Sequence, residues 1–275
     1  MIKKDTQGVT FAKGFTAAGV KAGIKKSGNL DVAVIYTKTQ AVVAGTFTQN
    51  KVAAAPVYVS KEVVATGTAH AIVANAGCAN ACTGQQGLDD AHKMAQIAAD
   101  ELGVNADDVI VGSTGVIGVN LPMDKLEAGI KDAVANLSAD GSGNAGRAII
   151  TTDTHSKSVT CEFELSGKTV RMGAIAKGSG MIRPNMATML CYITTDIAID
   201  QALLQKAVSG CVEKSFNMIS VDGDMSTNDM VIVLANGEAN NAKITEENAD
   251  YQIFFDKLMM LCTELAKQIA ADGEG

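Results

Sequence analysis

Residues Ser158–Asp196 read SVTCEFELSGKTVRMGAIAKGSGMIRPNMATMLCYITTD. Alternating apolar and polar residues from Ser158 to Ala176 flank Ser166-Gly167, a pair suited to the tight turn of a β-hairpin. Gly, Pro and Met crowd the approach to Thr188, and the β-branched, apolar run Thr188–Thr194 reads as a central strand. Working outward, DVAVIY (Asp31–Tyr36), AHAIVAN (Ala69–Asn75), Val109–Val111 and Met230–Ala235 read as further buried strands. GTFTQNKVAAAPVYVS after Tyr36 reads as more strand material, with Pro56 near an edge or strand start.

Helical spacing replaces alternation elsewhere. Leu88–Leu102 places Ala91, Met94, Ile97, Ala98 and Leu102 on one side, and Gly103 is its stop signal. Met123–Leu137 repeats the pattern through Leu126, Ile130, Ala133 and Val134, and a short helix is predicted over Asn144–Ile150. Asp200 suits the N-cap of a helix reaching about Asn217, and Asp250–Ala271 reads as the last helix, with Phe254, Leu258, Leu261, Leu265 and Ile269 facing the core. Strands interleaved with helices, without strict βαβ alternation, predict a layered α/β (α+β) architecture of stacked mixed sheets with helices outside.

Composition narrows the function. The 275 residues are 47% hydrophobic, 4% aromatic and without Trp, so the core is built from Ala, Val, Ile, Leu and Met. A net charge of −7, from 23 basic and 30 acidic residues, argues against a nucleic-acid surface, and Lys25-Lys26 reads as part of a solvated turn. Six cysteines without CxxC spacing and three scattered histidines predict neither a zinc site nor any other metal centre. Cys78 and Cys82 could face each other on one helical turn, but read better as small buried thiols. Lacking an apolar stretch of bilayer length or a signal-like start, the chain is expected to be cytoplasmic, with reduced thiols and no membrane contact.

Familiar-looking motifs dissolve in context. GSGNAG (Gly141–Gly146) matches GxGxxG but follows a helical segment instead of a strand, and SGKT (Ser166–Thr169) is a hairpin turn and no P-loop. Three polar, Gly-rich loops remain beside apolar strands: Gly112–Asn120, Lys177–Thr188 and Val221–Asp229. Taken alone, each reads as a structural turn before an active-site wall, and only their coincidence with a threonine at a strand start brings the two readings level. Ala187-Thr188 adds a chemical possibility, because scission of that bond would give Thr188 a free α-amine beside its own Oγ. One residue would then supply nucleophile and base.

KGSGMIRPNMATMLCYITTD resembles the bifunctional ornithine acetyltransferase (glutamate N-acetyltransferase/amino-acid acetyltransferase) family of arginine biosynthesis. GVTFAKGFTAAGVKAGIKKSGNLDVAVIY, ANACTGQQGLDDA, GSTGVIG, AIITTDT, SVDGDMSTNDMVIVLANG and AKQIAADGEG resemble the family's other blocks, in the same order, from about Gly8 to Gly275. The resemblance implies stacked sheets similar to N-terminal-nucleophile enzymes and self-cleavage between Ala187 and Thr188. An α segment (1–187) containing the oxyanion loop and a β segment (188–275) headed by Thr188 would pair and assemble further into a homo-oligomer.

It also implies ping-pong acetyl transfer from N-acetylornithine to glutamate through acetyl-Thr188, releasing ornithine and N-acetylglutamate. No cofactor is implied, although acetyl-CoA is a co-substrate of some members. Thr114 and Gly115 match the oxyanion hole, and Thr151, Lys177, Thr188 and Glu274 match substrate-binding positions. Cys78 and Arg183 depart from the family pattern, at places where Asn and a smaller or uncharged residue are expected. Family members continue well past the DGEG block, so the expected site is incomplete on that side. The alternatives are an inactive or precursor fragment and an amidohydrolase or aminopeptidase on a related fold.

Overall fold

The computed structural model describes residues 7–183 and 189–274, together with the backbone of residues 2–3. Ala187 and Thr188 lie outside the described residues. The strands are β1 (Ile2–Lys3), β2 (Phe15–Val20), β3 (Val32–Phe47), β4 (Thr68–Cys78), β5 (Val109–Val116), β6 (Lys157–Leu165), β7 (Lys168–Lys177), β8 (Leu190–Thr195) and β9 (Met230–Ala235). The α-helices are α1 (Ala55–Thr66), α2 (Gly84–Leu102), α3 (Met123–Ala135), α4 (Ser142–Ile149), α5 (Gln201–Glu213) and α6 (Ala249–Ala271).

Strand β3 organises the whole. Along one edge its first half, Val32–Thr37, pairs antiparallel with β2, and its second half, Val42–Phe47, pairs antiparallel with β9. On the other edge its register with β4 shifts between Tyr36 and Ala41, where exposed Lys38, Thr39 and Gln40 form the irregularity. Extra residues on one strand bend it and increase its twist. The hydrogen-bonded order β1-β6-β7-β8-β9-β3-β4-β5, with β2 also on β3, thereby folds into two stacked layers. Both are mixed, since β4–β5 and β8–β9 run parallel and the remaining pairs antiparallel.

Period-two alternation divides the core among three layers. Leu190, Tyr192, Met230, Ile232 and Leu234 turn inward to meet Ile35, Ile72 and Ile110 from the facing layer, with α1 and α4 contributing Val57, Val63, Ala148 and Ile149. Cys191, Ile193, Val231 and Val233 turn outward beneath α5 and α6. Val32, Val34, Val73 and Val111 turn the other way beneath α2 and α3. This is the stacked, helix-flanked α/β arrangement that the alternation predicts.

The sheets approach closely through Gly112, where an added Cβ would stand 2.1 Å from the Tyr192 hydroxyl. GSGNAG likewise serves packing at the start of α4, as a Cβ on Gly141 would meet the Ala17 carbonyl oxygen at 1.7 Å. Ser166 and Gly167 both adopt positive φ, +48° and +77°, as the tight β6–β7 hairpin requires.

Several expectations need correction. Pro56 starts no strand: β3 ends at Phe47, and Pro56 lies in the first turn of α1, where its fixed φ and missing N–H cost nothing. The predicted loop from Gly112 is strand through Val116, because β5 follows β4 in parallel past Gly77. Cys78 and Cys82 share no helical turn, for Cys78 ends β4 and Cys82 is an exposed loop residue with φ +57°. Helix α5 stops at Glu213, and Phe216–Met218 forms a separate 3-10 turn. Asp200 occupies the N-cap without a capping bond, its carboxylate pairing instead with Lys243. Lys25 is half-buried, not solvated, donating to the Leu30 and Ala148 carbonyls at 2.5 and 3.2 Å.

Candidate active site

One end of the inter-sheet layer collects polar side chains where apolar ones would be expected. On β5, Ile110, Gly112 and Thr114 share a parity, and that face meets Tyr192 of the opposite sheet. On β7, the parity that turns Ile175 into the inter-sheet core carries Lys177 to the same side. Lys177 pairs in register with Leu190, two positions before Tyr192. These constraints bring Lys177 Nζ to 3.3 Å from Thr114 Oγ1, a buried contact between residues 63 apart in sequence.

Gly115 continues this edge with φ +132°, and a Cβ there would lie 2.4 Å from the Gly77 carbonyl carbon. The strand behind it is held by amides and hydroxyls. Ser113 Oγ donates to Asn75 Oδ1 at 2.6 Å, and Asn75 Nδ2 donates to the Cys78 carbonyl at 2.9 Å. Asn228 Nδ2 donates to the carbonyls of Ala79 and Ser113 at 2.6 and 2.9 Å. Asp229 Oδ1 accepts from Met189 N at 2.7 Å, so adjacent residues tie the Thr114 strand to the residue following Thr188.

Lys177 carries its ammonium at 3% relative exposure. Burial pushes that ammonium down, Asp153 and Asp229 oppose the shift, and neighbouring Lys157 adds to it. Burial would raise the Asp153 carboxyl, but Lys177, Lys157 and the Gly178 N–H together hold it below the ordinary carboxylate range. Gly178 N donates to Asp153 Oδ1 at 2.6 Å and Thr151 N to Asp153 Oδ2 at 3.1 Å, fixing the exposed Thr151 beside the Lys177 loop.

Glu274 arrives from the far end of the chain. Its N–H donates to the Ser179 carbonyl at 2.7 Å, Ser179 Oγ lies 3.4 Å from its Oε1, and Thr152 Oγ1 is 2.8 Å from Ser179 Oγ. The Glu274 carboxylate stands against Gly180 and acts electrostatically on Lys177. Thr114, Gly115, Thr151, Lys177 and Glu274, scattered over 161 positions of sequence, therefore border one site. Ala187 and Thr188, the proposed scissile pair, lie outside the described residues.

All three Gly-rich loops contribute, since Asp222 also accepts from Ile182 N at 2.9 Å and from Met181 N. Arg183 is exposed. Cys78 is buried, with Sγ 3.1 Å from the Val119 carbonyl, and burial raises its thiol pKa, which suits packing better than nucleophilic attack. Among the described residues no His, Cys, Asp and Glu cluster has the makings of a metal site, and no helix is long and apolar enough to cross a membrane.

Asp153, Lys157, Asn228, Asp229 and Asp272 support this site without having been picked out in the sequence. For Asn228 and Asp229 a signal was available, because a polar residue bordering an apolar buried strand such as Met230–Ala235 needs a partner.

Residues 16–275 match the model of the ArgJ family. The arginine biosynthesis bifunctional protein ArgJ of Symbiobacterium thermophilum is 52% identical over 98% of this chain and 67% of its own length. The chain spans about two thirds of the length of the curated relatives it matches. A crystallised chain of ornithine acetyltransferase from Mycobacterium tuberculosis, in complex with ornithine, is 40% identical with a TM-score of 0.62, matching 69% of this chain and 100% of its own. The L-aminopeptidase D-Ala-esterase/amidase of Ochrobactrum anthropi, a variant of the Ntn hydrolase fold, superposes with a TM-score of 0.60 at 12% identity over 98% of this chain and 87% of its own, a likeness of fold alone. By the extent of the family match and the identity to its members, this chain belongs to the ArgJ family.

Proposed function

We propose that the protein transfers acetyl from N-acetylornithine to glutamate in arginine biosynthesis, through an acetyl ester on Thr188. The observation that carries this reading is the buried Lys177–Thr114 contact at the end of the inter-sheet layer, with Gly115, Thr151 and Glu274 around it. Leu190, two positions after Thr188 in the sequence, turns its side chain into that layer.

In the proposed maturation, Thr188 Oγ attacks the Ala187 carbonyl, the Ala187–Thr188 C–N bond breaks, and an ester links Ala187 to Oγ. Water hydrolyses that ester, leaving an Ala187 carboxylate on the α segment and a free α-amine on Thr188. That amine, with an unperturbed pKa of about 7.7 to 8.0, can accept the Oγ proton near neutral pH.

In the proposed transfer, Oγ attacks the acetyl carbonyl of N-acetylornithine. The tetrahedral oxyanion receives hydrogen bonds from donors of Thr114 and Gly115, which stabilise charge only as it develops. Collapse breaks the C–N bond and releases ornithine, its amine taking the proton held by the Thr188 amine. Glutamate then attacks the acetyl ester by the reverse route and leaves as N-acetylglutamate. Lys177 meets the substrate α-carboxylate as a point charge, Thr151 lines the same subsite, and Glu274 meets the ornithine side-chain ammonium. Acetyl-CoA is proposed as a second donor, and paired α and β segments, assembled as a homo-oligomer, as the working form.

Acetyl exchange between N-acetylornithine and glutamate, measured on the protein at its natural length alongside its intact mass, tests this reading. Two segments and rapid exchange are expected. An uncut chain without exchange would refute it.

A further inference from the structure

Among the described residues Lys157 is the largest charged side chain with essentially no solvent exposure, and the mechanism above leaves it unused. Its Nζ lies 2.7 Å from Asp153 Oδ1 and 2.6 Å from Asp272 Oδ2, and both carboxylates are buried. A cation taken so completely out of water is held only where its partners are closely placed and their remaining oxygens are satisfied.

They are satisfied by the backbone of the site. Asp153 accepts from Thr151 N and Gly178 N, the latter immediately following Lys177. Asp272 accepts from Thr154 N at 3.1 Å and from the Thr154 hydroxyl, with His155 Nδ1 at 3.5 Å. Asp272 also closes α6, two residues before Glu274, whose N–H is bonded to the Ser179 carbonyl. One ammonium thus joins three separate chain segments, each bearing one of the residues proposed to hold the amino-acid substrate.

We propose that Lys157 is a positioning residue that sets Thr151, Lys177 and Glu274 at the mutual spacing matched to an amino acid with a side-chain ammonium. The inference rests on the proposed function. Without the Lys157 ammonium, Asp153 and Asp272 repel each other, the end of α6 separates from the Thr151–Thr154 turn, and Glu274 loses its fixed distance from Lys177. Substrate selection suffers before chemistry does, because Thr114 and Gly115 are held by the separate Asn75, Ser113 and Asn228 network.

The test compares wild type, Lys157→Met and the charge-balanced Lys157→Met/Asp272→Asn in the natural-length protein. N-acetylornithine and N-acetylnorvaline, which lacks the side-chain ammonium, serve as donors. For a variant that folds, KM for N-acetylornithine is expected to rise about tenfold to a hundredfold, with a smaller change in kcat and a reduced preference over N-acetylnorvaline. Unchanged KM and preference in a folded variant would overturn the inference while leaving the proposed function standing. Collapse of both variants would assign Lys157 to folding and overturn the positioning role. A wild-type protein that transfers no acetyl would overturn the proposed function itself, and this inference with it.

Discussion

Lys177 Nζ lies 3.3 Å from Thr114 Oγ1 across the end of the two stacked sheets, with both residues buried. A lysine can only donate, so Thr114 Oγ1 accepts this bond and its own hydroxyl proton stays available to another acceptor. Thr114→Val should lower acetyl transfer about a hundredfold or more, the scale of losing one oxyanion donor. Thr114→Ser should retain much of the activity. Steady-state kinetics decide, and comparable rates for wild type and Thr114→Val would show that this hydroxyl aids no oxyanion.

Lys177 predicts a pH dependence. Burial depresses its ammonium pKa below the ordinary 10.5, so the folded state sheds this proton before the unfolded chain does. The burden of burying the charge is present below the depressed value and is relieved as pH rises from there to 10.5. Carboxylate binding is lost over the same window, so KM should rise with pH on the acid side of 10.5. A KM profile flat up to 10.5, or one unchanged in Lys177→Met, would exclude the ammonium from substrate binding.

Asp272 behaves oppositely. Burial works against its charge, but hydrogen bonds from Lys157 and Thr154 hold its carboxyl at about 2, below the usual 3.8. Its contribution to stability is full above 3.8 and is lost as pH falls from 3.8 through about 2. Asp272→Asn should be less stable than wild type at neutral pH, and the gap should narrow in acid through this range. Unfolding midpoints with a constant gap would contradict the assignment.

Packing between the sheets is testable at Gly112. A Cβ there would meet the Tyr192 hydroxyl at 2.1 Å, with the next ring atom at 3.4 Å. Gly112→Ala should destabilise by about 1–3 kcal/mol, the usual penalty for overpacking. Adding Tyr192→Phe removes the colliding oxygen and should restore most of that loss. Denaturant titration of both variants measures this, and strictly additive penalties would mean that the two residues do not touch.

Much of the scaffold is legible in the sequence because local chemistry and burial agree. Met230–Ala235 is six apolar residues between STND and NG, and the strand has those bounds. Ser166-Gly167 supplies the positive φ values its hairpin needs. Where burial and propensity disagree, the reading fails: VAAAPVYVS is β-branched enough to suggest a strand, yet Pro56 and the apolar face of Val57, Val63 and Val64 make it α1. The bend in β3 goes with its register shift against β4 and with the change of partner from β2 to β9, and β9 comes from a distant part of the chain, which no local pattern encodes. Thr151, Lys177 and Glu274 are recognisable only through family resemblance, and Lys157 escapes notice because its partners lie 4 and 115 positions away.

The most direct measurement is peptide mapping by mass spectrometry after rapid quenching of the enzyme with N-acetylornithine in the absence of glutamate. The account predicts one acetyl group on the peptide beginning at Thr188, borne on its hydroxyl, discharged on adding glutamate and absent from Thr188→Ala. Acetyl on a different residue, or transfer undiminished in Thr188→Ala, would contradict it.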